Sequence, residues 1–479
     1  MTERRRPPIE EPSPELLIAR ETERDLTRGP LLWTVLSYGL PLVAAMVFYA
    51  LFNMIDLLIV GQLSSSAVGA VYIGGTINTI PMVVYNGISM ASVALISFDF
   101  AQGRLERVSQ LVHQSMSICC LLGVGIGVVS WIFSTQLVEL FGGTGAITQP
   151  AIDYLEVLSL GTVSMFLLMQ VTSVLRAIGD SRWTMYLLVG SNVLNIVLDY
   201  LLVFGIGPFP RWEVYGAGIA TVIARGLGAV IGLFVLWRAK HSARLYLRKL
   251  WPLTWSITRK LVGYGLPHSA QLVIRLTSIL LVTRILSRFF GESAVSAFGL
   301  GFRLDTLALF AAVGWGSAIA PIMGQCLGAG RLDRAVRATW ATAISSALML
   351  ALLAAGYWTF AKELILFCIR DPEPDVLRLG TAYLRISCVS YLFLGITVAM
   401  AFALNGARSM RLPLLIDAVV CFAIQLPSAH LAARFGSSPR PVFWTLVAVH
   451  VILAVIYVAV FINGYWKNTR RVPDIVPEA

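Results

Sequence analysis

Apolar residues run along this chain in twelve long stretches that short polar segments separate. Each stretch reaches the roughly 20 residues that an α-helix needs to cross the hydrocarbon core of a bilayer. We therefore predict an all-α polytopic membrane protein with twelve transmembrane helices. The predicted spans are residues 34–61, 67–98, 109–134, 152–175, 184–206, 215–237, 260–286, 294–326, 336–360, 380–404, 412–433 and 442–465.

The sequence also contains an internal repeat. Leu36–Pro41 (LSYGLP) opens the first stretch and Val262–Pro267 (VGYGLP) opens the seventh. Gly87–Arg107 then aligns without gaps on Gly314–Arg334, and the two copies end in GRLER and GRLDR. A repeat of this kind in a membrane chain is typical of transporters with a substrate site between two halves. Six spans per half give both halves the same direction, so we expect two lobes related by a pseudo-two-fold axis along the membrane normal.

The polar segments suggest how the chain is divided. The first segment is charged and broken by prolines, with no apolar core of a cleavable signal peptide, so we expect the first span to act as an uncleaved signal anchor. We assign 1–30 to a disordered cytoplasmic tail, 31–237 to the N-lobe, 238–259 to a basic cytoplasmic linker, 260–465 to the C-lobe and 466–479 to a cytoplasmic C-terminal tail.

Composition and charge agree with a membrane location. Hydrophobic residues make up 57% of the chain and charged residues only 13%, against about 25% charged in soluble domains. The net charge of +11 comes from Lys and Arg that lie mostly in the tails and in alternate connections. This is the positive-inside pattern, which predicts that both termini lie in the cytoplasm. We expect the bilayer and small molecules as partners, no nucleic acid, and a monomer.

A few ionisable and amide side chains lie inside the apolar stretches. An Asp at the centre of a span costs about 2.5–3.5 kcal/mol on insertion scales, so it normally faces a cavity or a partner. Asp56 is in the middle of the first span, and Asn192, Asn195 and Asp199 share one face of the fifth. Two carboxylates in a partly dry pocket can hold a proton near neutral pH or a desolvated Na⁺. The alternative is an interhelical hydrogen-bond clamp.

Several of these stretches resemble the MATE (multidrug and toxic compound extrusion) family. The matching segments are Pro41 with Asn53–Gly61, Leu175–Arg182, Asn192–Tyr200 and Gly216–Thr221. The Asn-x-x-Asn-x-x-x-Asp-Tyr run of the third segment is the most specific of them. The resemblance covers essentially residues 31–465, and the DinF-like branch of the family is the most similar.

The resemblance implies a function and a site. In DinF-like relatives, the carboxylates that match Asp56 and Asp199 are implicated in a proton or sodium site, with polar neighbours at the positions of Asn195 and Thr221. The resemblance also implies an antiporter that exports cationic or amphipathic molecules in exchange for H⁺ or Na⁺ by alternating access between the lobes. No cofactor is expected, and no metal other than Na⁺ at Asp56, Asn195 and Asp199. We expect Met, Phe and Tyr to line the substrate cavity.

Two positions depart from the family pattern. Phe52 stands where DinF-like relatives often have a tyrosine, and Arg275 stands where NorM-like members have an acid. A NorM-like sodium site in the C-lobe is therefore not expected. Arg275 is either a fixed cation of the cavity or the structural partner of Asp305 or Asp417. We favour the structural pairing, because a buried Arg normally needs a carboxylate.

Four further residues are candidates for the cavity or its gating. Arg303 and Asp305 are two residues apart, so they do not share a helix face and each needs its own partner. Asp417 is an acid in the middle of the eleventh span, suited to coupling or to a salt bridge. His268 lines the C-lobe cavity or packs as a hydrogen-bonded core residue.

Two prolines lie at corresponding places in the repeat. Pro41 and Pro267 each remove a helix hydrogen bond inside a span. They are hinge candidates for alternating access, or static kinks.

Other classes of protein fit less well. HExxH, GxSxG, CxxC and a glycine-lysine phosphate loop are all missing from the sequence, so we do not expect an enzyme. A structural or receptor-like membrane protein has no need of titratable groups at mid-depth. A lipid-linked or dedicated metabolite exporter or flippase of the same superfamily remains the alternative.

Overall fold

In the computed structural model, the structure describes residues 25–238, 244, 253–369 and 372–467, all of them helical or in turns and loops. Within these residues, the N-terminal half contains eight α-helices. These are α1 (Leu31–Gly61), α2 (Ser65–Ala101), α3 (Leu105–Ile132), α4 (Ser134–Leu140), α5 (Thr148–Leu160), α6 (Thr162–Ala177), α7 (Ser181–Phe204) and α8 (Glu213–Arg238).

The C-terminal half repeats this order. Its helices are α9 (Trp255–Gly328), α10 (Leu332–Thr359), α11 (Ala361–Cys368), α12 (Pro374–Ser387), α13 (Tyr391–Gly406), α14 (Arg411–Val419), α15 (Leu426–Phe435) and α16 (Arg440–Asn463). A π-helical turn, Val420–Gln425, joins α14 to α15.

Breaks within these helices give the twelve spans that the sequence predicts. The 74 residues of α9 contain one non-helical residue, Gly291, with φ 77° and ψ −166°. This conformation suits glycine, and it divides α9 into the seventh and eighth spans. Helices α5 and α6 meet at Gly161 with a bend of 48° and together form the fourth span. Similarly, α12 with α13 and α14 with α15 form the tenth and eleventh spans. The predicted fold class is confirmed.

The two lobes contact each other closely at one end of the bundle. Glycines bring the backbones together: a Cβ on Gly265 of the seventh span would lie 2.8 Å from the carbonyl carbon of Gly87 in the second. In the same way, a Cβ on Gly314 would lie 2.5 Å from Cα of Val43. Small residues at such crossings allow the van der Waals packing that holds membrane helices together.

Exposure shows that a cleft opens toward the other end. In the second span every residue from 87 to 97 is buried, whereas Tyr72, Thr76 and Ile80 are exposed. In the eighth span every residue from 314 to 326 is buried, whereas Gly299 and Arg303 are exposed. We call the packed end, which carries the N-terminal residues 25–34, the closed end, and the opposite end the open end.

The segment before α1 fastens the closed end. The side chain of Gln325 accepts a hydrogen bond from the Leu26 N–H (3.1 Å) and donates one to the Ala177 carbonyl (2.9 Å). Arg331 donates to the Thr27 carbonyl (2.7 Å), and Arg334 donates to the carbonyls of residues 28 and 29 (2.7 and 2.9 Å). All of these bonds connect the two halves of the chain.

These contacts modify one expectation from the sequence. Residues 25–30, which we assigned to a disordered tail, are ordered, because Leu26 is completely buried and the C-lobe arginines hold the carbonyls beside it. Residues 1–24 of the predicted tail, most of the predicted linker and residues 468–479 lie outside the described residues.

We predict that removing the two arginines loosens the closed end. In a Cys120→Ser background, the double change Arg331→Ala and Arg334→Ala should raise the rate at which a maleimide modifies Cys326 by about tenfold. Cys326 is buried at this contact, and charge-assisted hydrogen bonds of this kind contribute about 1.5–3 kcal/mol each. Mass spectrometry of the labelled peptide measures the rate.

The matched control is Arg337→Ala, since within the described residues Arg337 donates only to the Asp333 carbonyl of its own helix. Equal labelling rates in the wild type and the double variant would show that these bonds do not hold the closed end together.

Candidate functional site

Two carboxyl groups face each other inside the N-lobe. Asp56 in the first span and Asp199 in the fifth lie within hydrogen-bonding distance of each other. Asp199 is completely buried, while Asp56 is partly exposed. Two carboxylates at this distance repel each other unless a proton or a cation lies between them. The pair therefore has the chemistry to hold one positive charge.

The oxygen atoms of the pair are incompletely bonded. Asn195 Nδ2 donates to Asp199 Oδ2 over 2.8 Å, one helical turn away on the face that the sequence predicted. The other oxygens, Asp56 Oδ1 and Asp199 Oδ1, are buried without a hydrogen-bond donor among the described residues. A proton or a desolvated Na⁺ would satisfy these atoms, so the donor set fits either ion.

The other predicted neighbours contribute less. The Thr221 hydroxyl donates to the Ala217 carbonyl of its own helix (3.0 Å), so its proton is not directed at the carboxylates. Asn192 lies on the same face as Asn195, and its Nδ2 atom is buried with no bond among the described residues. The structure thus brings Asp56, Asp199 and Asn195 together, whereas Thr221 and Asn192 donate no hydrogen bond to the carboxylates within the described residues.

One functional group near this pair was missed in the sequence analysis. Arg225, in the sixth span, is the cation whose charge acts on both Asp56 and Asp199. Its Nη1 atom lies 3.5 Å from the Met165 sulfur. The signal was available, because Arg225 is the one basic residue inside the apolar stretch 215–237. Its charge partly balances the pair without forming a direct salt bridge.

In the C-lobe, Arg275 lies against Asp417. Arg275 Nε is 2.5 Å from Asp417 Oδ2, and the same oxygen accepts a bond from Gln271 (2.8 Å). The other oxygen accepts a bond from the Tyr457 hydroxyl (2.8 Å). Asp417, rather than Asp305, is therefore the partner of Arg275. Because both oxygens of this buried carboxylate have donors, the geometry favours the structural pairing over an ion site.

Asp305 is held by a different set of groups. It accepts hydrogen bonds from Tyr383 (2.7 Å), Tyr391 (2.6 Å) and Ser387 (2.9 Å), all in the tenth span. Arg303, two residues earlier, is exposed in the cleft. The two charges do lie on different faces, as their spacing predicts, and Asp305 finds its partners on a neighbouring helix.

His268 and the two prolines lie in packed helix segments. The His268 ring is buried, with Nδ1 3.2 Å from Asn405 Nδ2 and its edge against Phe402. These contacts fit a hydrogen-bonded core residue better than a residue that lines the cavity. Pro41 and Pro267 lie inside continuous helices. Their role as hinges stays a prediction, because it concerns a second conformation.

We predict that the Arg275–Asp417 pair acts on stability. Arg275→Met leaves the buried Asp417 without its cation and should destabilise the protein by about 3–5 kcal/mol. Arg275→Met combined with Asp417→Leu removes both charges and should recover most of that loss. Thermal unfolding in detergent measures both variants. A double variant as unstable as the single one would contradict a purely pairwise role.

Two six-helix lobes around a cleft, with a pair of facing carboxyl groups inside one lobe, are typical of a two-lobe membrane transporter. Comparison with known proteins agrees: the model of the MatE family matches residues 41–201 and 267–431, one copy in each lobe. The chain belongs to the MatE family.

Curated relatives cover most of the chain. A probable multidrug resistance protein NorM from Thermotoga maritima is 25% identical over 440 residues, which is 91% of this chain and 93% of the relative. A FAD transporter from Shewanella oneidensis is 26% identical over 412 residues, 85% and 89% of the two chains.

Solved structures share the fold. An outward-facing MATE family multidrug resistance transporter has a TM-score of 0.87 at 18% identity and covers 96% of this chain and 100% of that chain. A MOP superfamily transporter from Pyrococcus furiosus has a TM-score of 0.85 at 19% identity, covering 96% and 98%. Membership of the DinF-like branch stays a prediction from the sequence motifs.

Proposed function

We propose that this protein is a secondary active antiporter. It exports cationic or amphipathic small molecules in exchange for H⁺ or Na⁺, and it acts as a transporter rather than as an enzyme. We place it in a bacterial inner membrane as a monomer, with both termini in the cytoplasm. The observation that supports coupling best is the pair of facing carboxylates, Asp56 and Asp199, each with an oxygen that lacks a donor.

The position of Asp56 links ion binding to the contact between lobes. Asp56 lies on α1, and the same helix packs on the eighth span through Val43 against Gly314 and Tyr49 against Phe310. A change of charge at Asp56 therefore acts on a helix that the other lobe contacts. Binding of H⁺ or Na⁺ neutralises the pair, and its release leaves a negative site that attracts a substrate cation. Competition for one negative site gives obligatory exchange a physical basis.

A second candidate is a dedicated metabolite exporter. The Shewanella oneidensis relative is named a FAD transporter, and it is about as similar to this chain as the multidrug resistance proteins are. A metabolite exporter would use the same lobes and the same coupling pair with a narrower substrate range. A competition assay distinguishes the two, because a dedicated exporter ignores unrelated dyes.

We predict that a proton gradient or a sodium gradient drives export of a fluorescent cationic dye from proteoliposomes. The gradient that drives export identifies the coupling ion. Asp56→Asn and Asp199→Asn should each reduce this gradient-driven transport at least tenfold, because an amide cannot exchange a proton and provides a weaker site for Na⁺. Dye fluorescence under each gradient, imposed separately, is the measurement.

The control variant is Asp375→Asn, since Asp375 is exposed and pairs with Arg378 near the start of α12. Full gradient-driven transport in both site variants would overturn the coupling role of the pair. Transport of no dye under either gradient would favour the dedicated exporter.

A further inference from the structure

Arg303 is an exposed cation in the membrane-spanning part of the C-lobe. It lies twelve residues into the eighth span after Gly291, roughly 18 Å along the helix at 1.5 Å per residue. A charged side chain at that depth is costly in contact with lipid, so an exposed one normally faces a water-filled cavity. The exposure of Arg303 therefore places water, and room for a ligand, beside it.

The helix face shows which cavity this is. Arg303, Phe310 and Gly314 lie on one side of the eighth span, at spacings of seven and four residues. Phe310 packs on Tyr49, with ring centroids 5.3 Å apart, and Gly314 packs on Val43. Both partners belong to α1, so the face of Arg303 looks toward the N-lobe.

The neighbours of Arg303 confirm this direction. Cys368 and Tyr72 are the titratable side chains near enough to act on Arg303 electrostatically, and Tyr72 is an exposed residue of the second span in the opposite lobe. Arg303 therefore projects into the cleft between the lobes, on the open side of the Tyr49–Phe310 contact.

Its charge is not balanced by the protein. Within the part of the chain that the structure describes, Arg303 takes part in no salt bridge and no hydrogen bond of its side chain. Asp305, the nearest acid in sequence, is occupied by three hydroxyl groups of the tenth span. Arg275 differs in this respect, because Asp417 neutralises it.

The N-lobe wall carries the opposite charge at a similar depth. Helices α1 and the eighth span run antiparallel and meet at Tyr49 and Phe310. Asp56 and Arg303 each lie seven residues farther toward the open end, about 10 Å along their helices. The cation acting on Asp56 is Arg225 and not Arg303, so Asp56 and Arg303 do not form an ion pair across the cleft. The cleft thus has Arg303 on its C-lobe wall and the partly exposed Asp56 on its N-lobe side.

We propose that Arg303 binds an oxyanion of the transported substrate, a carboxylate or a phosphate, so that amphipathic zwitterions are preferred cargo. The positive group of such a molecule would lie at Asp56 and Asp199, and its negative group at the guanidinium, which can hold two oxygens at once. This inference rests on the proposed function, because it assigns the substrate class of the same cleft.

The experiment measures binding of two matched probes to the purified protein in nanodiscs. One is a rhodamine methyl ester, which is a cation, and the other is the corresponding free acid, which is a zwitterion. Arg303→Gln should raise the Kd of the zwitterion about tenfold to a hundredfold, the effect of losing a charged hydrogen-bonded pair, and change the Kd of the ester by less than about twofold. Arg303→Lys should recover part of the affinity, since it keeps the charge and loses the fork.

Arg378→Gln is the control, an exposed arginine that pairs with Asp375 near the start of α12. Thermal unfolding checks that each variant is folded. An equal loss of affinity for both probes, or no loss of affinity for either, overturns the proposal. The two Kd values are measured in nanodiscs of neutral lipid and in nanodiscs of anionic lipid, to distinguish a substrate oxyanion from a lipid phosphate at Arg303. If the protein binds the zwitterion no more tightly than the ester in either kind of nanodisc, the proposal is also overturned.

Binding needs no ion gradient, so failure of this inference is distinct from failure of the antiport proposal. If gradient-driven transport of the ester is lost in Asp56→Asn while the zwitterion binds independently of Arg303, only the substrate assignment is wrong. If the zwitterion depends on Arg303 but no gradient drives transport, only the coupling is wrong.

Discussion

The cost of an unbalanced charge in hydrocarbon determines where the polar residues of this protein lie. Inside the C-lobe that cost is offset locally, because Asp417 has Arg275, Gln271 and Tyr457 around it. The carboxylates of the N-lobe instead each keep a buried oxygen that has no hydrogen-bond donor among the described residues. The same physical constraint is therefore met by local donors in one lobe and only in part in the other, where we propose that an ion meets it.

The buried acids therefore have different contacts in two lobes of similar fold. The C-lobe acids accept hydrogen bonds from donors of their own lobe, and these bonds join the eighth span to the tenth and the eleventh span to the seventh and twelfth. The N-lobe pair connects α1 to the fifth span, and α1, like the second span, packs on the opposite lobe. The acids of the N-lobe thus lie on a helix that takes part in the contact between the lobes.

Much of the fold could be predicted from the sequence because its signals are local. Span length is fixed by bilayer thickness, and the repeat is visible in the order of residues, so the number of helices and the two lobes followed. The bond from Asn195 to Asp199 followed from helical spacing alone. The approach of Asp56 to Asp199 joins two distant helices, and only the family resemblance suggested it.

The remaining contacts depend on how helices cross, which spacing does not encode. The sequence left Arg275 with two candidate partners, and the packing of the seventh span on the eleventh selects Asp417. Arg225 was overlooked, although it is a charge inside an apolar stretch, because no acid lies near it in sequence. Thr221 was named from the resemblance, but its hydroxyl is directed at its own helix backbone.

One position of the repeat holds different residues in the two lobes, and the contacts of the neighbouring arginines differ as a result. In the first copy, Asp99 holds the arginines of its own GRLER motif, with Arg107 Nε 3.6 Å away. The aligned residue of the second copy is Cys326, which has no charge to offer. The arginines of GRLDR reach the peptide carbonyls before α1 instead. The same arginine motif therefore braces one lobe internally where an aspartate is present and ties the two halves together where a cysteine takes its place.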